Sequence, residues 1–207
     1  MSNDDVYATG FLNRALDPAS QPPEIRAFLQ AEIDWLLRTV PARASVVDVG
    51  CGTGRHLALL ADHVRLGVGV DYDHDYLKDA CRHGRPGRVC FVRADGARLP
   101  LVRPFDIATC LTNTWGTMPD KVGVLDEMRR CAPGTGTRRL TVYSPASVAP
   151  RREWYRRLGH TVVDETPEAL VTDNGFSSEH FDEARLRAII GPCTIEPLAG
   201  IAHGVTF

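Results

Sequence analysis

The stretch Val46-Val47-Asp48-Val49-Gly50-Cys51-Gly52-Thr53-Gly54 decides the fold. Residues 45–49 form a short β-branched run, the pattern of a strand buried on both faces. Glycines then fall at 50, 52 and 54, giving G-x-G-x-G. Such a turn between a parallel strand and a helix lets a ligand approach the backbone and presents helix N–H groups. The dinucleotide fingerprint G-x-G-x-x-G needs glycine at 55, where Arg55 stands. The phosphate loop G-x-x-x-x-G-K-[ST] is absent. Asp48, two residues before the first glycine, suits a ligand bearing an ammonium group and repels a pyrophosphate.

Outward from this turn, strands and helices alternate. Upstream, apolar residues at Ile25, Leu29, Ile33, Leu36 and Val40 predict a helix from Glu24 to Val40, with Pro23 in its first turn and Pro41 ending it. Downstream, residues 54–62 predict a helix, 66–70 a strand, and Asp73 caps a helix to about Arg82. Strands follow at 89–92 and 105–111, a helix at 119–131 and a strand at 138–143. Continuously apolar strands separated by helices argue a doubly wound, mostly parallel α/β sheet covered on both faces. After Tyr143 the pattern changes: helix at 150–158, antiparallel hairpin at 161–172, helix at 179–190, and a terminal strand pair at 193–199 and 201–207 turning at Gly200. We read 1–207 as one domain: an N-terminal cap and helix (1–43), a ligand-binding core (44–143), a helix plus hairpin lid (144–192) and the strand pair (193–207).

The chain has 207 residues, long enough to bury roughly 70% of its unfolded surface without staples. Its 24 basic and 26 acidic residues give a formal net charge of −2, so no nucleic-acid partner is expected. Only Lys78 and Lys121 are lysines, and the arginine pairs are scattered among acids, as on a solvated surface. The six cysteines include no Cys-x-x-Cys, which predicts reduced, mostly buried thiols in a cytoplasmic protein and no metal. Cys90 and Cys110 fall inside apolar runs. The acidic N-terminus has no apolar core for a signal peptide, and no run approaches the roughly 18 residues of a membrane span, so no membrane partner is expected. The oligomeric state is left open.

Two further acids stand at successive strand ends. Asp71 closes Val68-Gly69-Val70-Asp71, 21 residues after Gly50. A carboxylate there accepts hydrogen bonds from both ribose hydroxyls of a nucleoside. Asp95, in Ala94-Asp95-Gly96-Ala97, together with the N–H groups that follow it, would read an adenine amino edge. With DVGCGTG at 48–54, GVD at 69–71, ADGARLP at 94–100 and FDIATCLTN at 105–113, the chain resembles the class I S-adenosylmethionine-dependent methyltransferases over about residues 44–143. The resemblance implies a seven-stranded sheet with an antiparallel last strand. It also implies that S-adenosyl-L-methionine, leaving as S-adenosyl-L-homocysteine, meets Asp48, Gly50, Cys51, Gly52 and Gly54 at its methionine end. Asp71 would lie at its ribose and Asp95 and Gly96 at its adenine, with Tyr72 and Thr112 completing the set.

The segment after the fourth strand, Thr112-Asn113-Thr114-Trp115-Gly116-Thr117, lacks the [DNS]-P-P-[YFW] pattern of nucleobase amino-methyltransferases. No acidic pair suggests a magnesium site. It looks instead like the small-molecule branch, which implies a small-molecule substrate, with N-methylation slightly favoured over O- or C-methylation. An amine needs only its neutral form for in-line attack on a sulfonium, so no dedicated base is obligatory. Acceptor-pocket candidates are Tyr7, Asn113, Trp115 and Tyr143: Asn113 to hydrogen-bond the acceptor, Trp115 as an aromatic wall, Tyr143 at a strand's carboxyl end. Asn113, Tyr143 and His160 are candidate catalytic groups, and His56 is read as a helix residue packing locally. Macromolecular methylation of RNA or protein, a non-catalytic cofactor-binding module and another transfer from the same cofactor stay open.

Overall fold

Alternating side chains of one strand feed two different cores. Val46 of β1 (Ser45–Val49) packs with Phe28, Leu36, Leu57 and Ile107. Val47 and Val49 pack with Val70, Leu125, Met128 and Leu140 on the opposite side. A strand buried on both faces must carry helices on both faces, which is why its sequence is continuously apolar. The computed structural model describes residues 11–83 and 87–207, the side chains of Leu12 and His83 excepted.

β1 pairs in parallel with β2 (Leu66–Asp71) and β4 (Ile107–Cys110). β2 continues to β3 (Val89–Arg93), and β4 to β5 (Thr137–Tyr143), again in parallel. Two C-terminal strands complete the sheet: β9 (Thr194–Leu198) at the edge and β10 (Ala202–Thr206), antiparallel to both β5 and β9. The order is β3-β2-β1-β4-β5-β10-β9. Chain direction across the sheet reverses between β1 and β4, and in an open α/β sheet ligands lie outside the carboxyl ends at such a point.

Seven helices occur among the described residues: α1 (Phe11–Ala15), α2 (Pro23–Thr39), α3 (Arg55–Leu60), α4 (His74–His83), α5 (Lys121–Cys131), α6 (Val148–Arg157) and α7 (Glu183–Ile190). α2 begins at its proline, as expected, but its buried face differs from the apolar spacing. That face is Ile25, Phe28, Leu29, Glu32, Trp35 and Leu36, with Ile33 only half-buried. A carboxylate therefore sits fully buried in the centre of an apolar stripe.

The expected hairpin is part of a three-stranded antiparallel sheet of β6 (Val162–Glu165), β7 (Ala169–Thr172) and β8 (Ser177–Glu179). The residues read as the start of a helix at 179 pair with β7 instead, and α7 starts at Glu183. Its N-cap is Asp182, whose carboxylate accepts from the Arg185 N–H at 2.7 Å. All six cysteines are free thiols. Cys90 is exposed, because it lies on the outer side of the edge strand β3. Among the described residues no helix is long and apolar enough to cross a membrane.

Gly69 on β2 is needed for space, not conformation. A Cβ there would lie 2.6 Å from the Phe91 ring and 2.7 Å from Cys51 Sγ, both packed side chains. Gly69→Ala is expected to destabilise the protein by about 1–3 kcal/mol through overpacking. A lowered urea midpoint at unchanged slope is the readout.

Candidate active site

At the carboxyl ends of β1, β2, β3 and β4 lies a cavity of about 400 Å³. Its floor is the glycine turn. Gly50, Gly52 and Gly54 have φ of 71°, 52° and 74°, left-handed values that β-carbon-bearing residues avoid. The turn's N–H groups are not all free, as the sequence suggested. Gly50 and Cys51 donate to the Val70 carbonyl at 2.7 and 3.0 Å, and Gly52 donates to Asp71 Oδ2 at 2.7 Å. The loop is thus held against β2 by an acid from the neighbouring strand.

Asp48, Gly50, Cys51, Gly52, Asp71, Tyr72, Asp95, Gly96 and Thr112 all line this cavity. Gly54 does not; it packs where a Cβ would meet Phe91 at 2.7 Å. Asp48, Asp71, Asp95 and Asp120 give the lining four carboxylates, against Arg55 and His56 as its basic side chains. Asp48 is 2% exposed and takes a hydrogen bond from the Thr109 hydroxyl at 2.7 Å. Burial pushes its carboxyl up to about 6, against the opposing pull of His56 and Thr109. Asp71 is also raised by burial, opposed by the Asp73 and Gly52 N–H groups. Burial drives the Cys51 thiol well above the ordinary range, with Asp48 and Asp71 adding to it, so Cys51 is a neutral wall. Buried carboxylates with few donors favour a cationic ligand that restores their ionised state.

The opposite rim is built on Glu32. Its Oε1 accepts from the Thr112 N–H at 2.6 Å and from the Thr141 hydroxyl. Its Oε2 accepts from the Thr112 hydroxyl at 2.7 Å, His56 Nε2 at 2.9 Å and Arg55 Nη2 at 3.1 Å. Burial alone would raise this carboxyl, but His56, Arg55 and Thr141 outweigh it and bring it down to about 2. Thr112 and Asn113 have φ of 54° and 57°. For a β-branched residue this is a strained conformation, and the Glu32 bonds to Thr112 hold it. Glu32, Arg55 and Tyr76 escaped the sequence reading. Glu32 falls within the apolar helix face, which is the signal that could have marked it.

The acceptor candidates lie elsewhere, and the expectation that they surround the ligand is corrected by their contacts. Asn113 is 1% exposed: its Oδ1 accepts from the Tyr143 N–H at 3.0 Å, and its Nδ2 donates to Ser178 Oγ at 3.0 Å and the Glu179 carbonyl at 3.1 Å. It ties β4, β5 and β8 together. Trp115 is fully buried, donates Nε1–H to the Lys121 carbonyl at 3.0 Å and stacks on Phe181 at 4.9 Å between ring centroids. Tyr143 is 3% exposed, between the Phe28 ring at 5.2 Å and the Arg151 guanidinium at 4.8 Å. His160 sits outside the cavity, with Nδ1 3.3 Å from Asp173 Oδ1. The β6–β8 sheet contributes no lining residue, so it is not a lid over this cavity as it stands; β8 packs instead on the turn Trp115–Thr117. Tyr7 lies outside the described residues. Among the described residues no group of His, Cys, Asp and Glu is arranged to hold a metal ion.

A seven-stranded sheet of this order, with a glycine turn after β1 and acids ending β1 and β2, defines a class I methyltransferase fold. Residues 46–136 match the family model described as a methyltransferase domain. The chain thus carries a methyltransferase domain on a class I S-adenosylmethionine-dependent methyltransferase fold. No curated protein sequence matches the chain at a significant level. Among solved structures it is similar to the PH0226 protein from Pyrococcus horikoshii OT3, at 18% identity and TM-score 0.70, covering 89% of this chain and 91% of that one. It is similar to the DhpI–SAM–HEP complex at 16% identity and TM-score 0.69, covering 100% and 97%. It is also similar to the sugar N-methyltransferase KedS8 from Streptoalloteichus sp ATCC 53650, at 23% identity and TM-score 0.59, covering 84% and 86%.

Proposed function

We propose that the chain transfers a methyl group to a small-molecule acceptor, with nitrogen slightly favoured over oxygen or carbon. The observation that carries this reading is the buried carboxylate of Asp48 in an acid-lined cavity. S-adenosylmethionine supplies an electrophilic methyl group on a sulfonium. Asp48 would take its ammonium, Asp71 its ribose hydroxyls, and Asp95 with the Gly96 backbone its adenine edge. The likeness to the sugar N-methyltransferase KedS8 supports a small acceptor bearing an amine. The near-neutral net charge supports a small substrate over a nucleic acid.

Calorimetry with S-adenosylhomocysteine tests the reading. No binding at millimolar ligand would end it. The pH dependence tests the place of Asp48. With its carboxyl raised to about 6, binding of the ligand's ammonium requires a deprotonation below that pH. Affinity is expected to fall about tenfold between pH 7 and pH 5, with proton release on binding at the lower pH. A flat profile would remove Asp48 from the ammonium.

A further inference from the structure

The Glu32–His56 pair does more than brace the fold. His56 Nε2 lies 2.9 Å from Glu32 Oε2, and an ionised carboxylate oxygen can only accept, so the His56 nitrogen is the donor. Arg55 Nη2, also 2.9 Å from Nε2, then directs its two hydrogens to Glu32 Oε2 at 3.1 Å and the Thr112 hydroxyl at 3.3 Å. The neutral ring is then protonated at Nε2 and carries its lone pair at Nδ1. Nδ1 has no hydrogen-bond partner among the described residues, is not sealed off as a buried orphan, and belongs to a side chain that lines the cavity. A fully buried carboxylate fixing one imidazole nitrogen while the other faces a ligand cavity is the arrangement that orients a general base.

We propose that His56 Nδ1 is the general base that takes a proton from the methyl acceptor, with Glu32 as its positioning residue. The proposal rests on the methyltransferase reading of the same cavity and narrows its substrate class to acceptors that must lose a proton: hydroxyls, or amines bound as ammonium ions. The acceptor's X–H bond breaks toward Nδ1, which becomes the second N–H of an imidazolium. The acceptor's electron pair forms the new bond to the methyl carbon, and the pair of the broken carbon–sulfur bond stays on sulfur. The imidazolium charge is offset by Glu32 at Nε2, and its proton then returns to solvent. The charged groups around the ring are Glu32 from α2, Arg55 from its own helix and Asp48 from β1, with Asp71 reaching it through Asp48. The two carboxylates nearest the ring thus offset the positive charge that proton uptake adds.

The proposal has two tests. The first is nitrogen NMR of histidine-labelled protein, with His56→Gln supplying the assignment. A pyrrole-type Nε2 and a pyridine-type Nδ1 in the neutral ring are expected. The reverse tautomer overturns the proposal. The second uses His56→Gln itself, whose side-chain amide keeps a donor toward Glu32 but cannot accept a proton. S-adenosylhomocysteine binding is expected to persist. Turnover at saturating cofactor on the amine or hydroxyl acceptor that the parent methylates is expected to fall about 10²–10⁴-fold, while the fall in S-adenosylhomocysteine affinity at acid pH that belongs to Asp48 is expected to remain. Parent-like turnover at saturating cofactor overturns it. Failure of the parent to bind S-adenosylhomocysteine would instead defeat the methyltransferase reading, and the tautomer measurement decides the His56 arrangement separately.

Discussion

Asp71→Ala is expected to weaken S-adenosylhomocysteine binding by about 1.5–3 kcal/mol, the scale of hydrogen bonds to a charged group. The carboxylate works on two sides. Oδ2 accepts from Gly52 N–H at 2.7 Å and Oδ1 from Asp73 N–H at 2.9 Å. Each oxygen keeps a lone pair for a ribose hydroxyl. Alanine removes both ribose acceptors and releases the glycine turn from β2, so the ligand must also order the turn it binds. Asp71→Asn separates the two effects. Its amide oxygen still accepts one bond, but its NH₂ faces a donor. Calorimetry of both variants at one pH is the check. An alanine variant that binds like its parent removes Asp71 from the ribose, whatever the turn does.

The parallel sheet was legible because its strands are short, continuously apolar and separated by helices. That pattern has few other solutions, and Asp48 and Asp71 could be placed at strand ends without coordinates. What failed to show has a physical cause in each case. Glu32 lies on a helix, where a carboxylate is ordinarily solvated; its value comes from Thr112, 80 residues away. His56 looked like local packing because its partner is on α2, 24 residues upstream. Asn113, Trp115 and Tyr143 do sit at the carboxyl ends of β4 and β5, as read. Their side chains turn toward β8, Phe181 and α2 instead of the cavity, because Ser177-Ser178-Glu179 forms a third small-sheet strand. Three polar residues are too few for an alternating pattern to announce a strand. The left-handed backbone at Thr112 was equally hidden: threonine gives no warning of positive φ, and the Glu32 and Thr141 groups that hold it come from distant elements.

Glu32→Ala is expected to cost about 3–5 kcal/mol of stability, as when one partner of a buried charge pair is removed. The loss is concentrated at the rim of the cavity. Arg55 loses its counter-charge, and His56 Nε2 and the Thr141 hydroxyl lose their acceptor. The strained Thr112 conformation, which costs on the order of 1–3 kcal/mol, loses the bonds that hold it. The pH dependence distinguishes this from ordinary cavity formation. A carboxyl lowered from 4.5 to about 2 contributes stability that is fully present above pH 4.5 and is lost as pH falls through about 2. That contribution is about 3 kcal/mol by linkage. Asp48 has the opposite sign: raised from 3.8 to about 6, it favours the folded state below 3.8 and loses that contribution as pH rises through 6. Without ligand, acidification from pH 7 to 5 should therefore raise the urea midpoint of the parent, and further acidification below 4.5 should lower it. In Glu32→Ala the lower limb should flatten. The upper limb should shrink, because removing Glu32 also removes a negative charge that helps hold the Asp48 carboxyl up. If the variant keeps the parent's fall in stability below pH 4.5, the acid sensitivity belongs to other carboxylates, and Glu32 is not what joins α2 to the cavity.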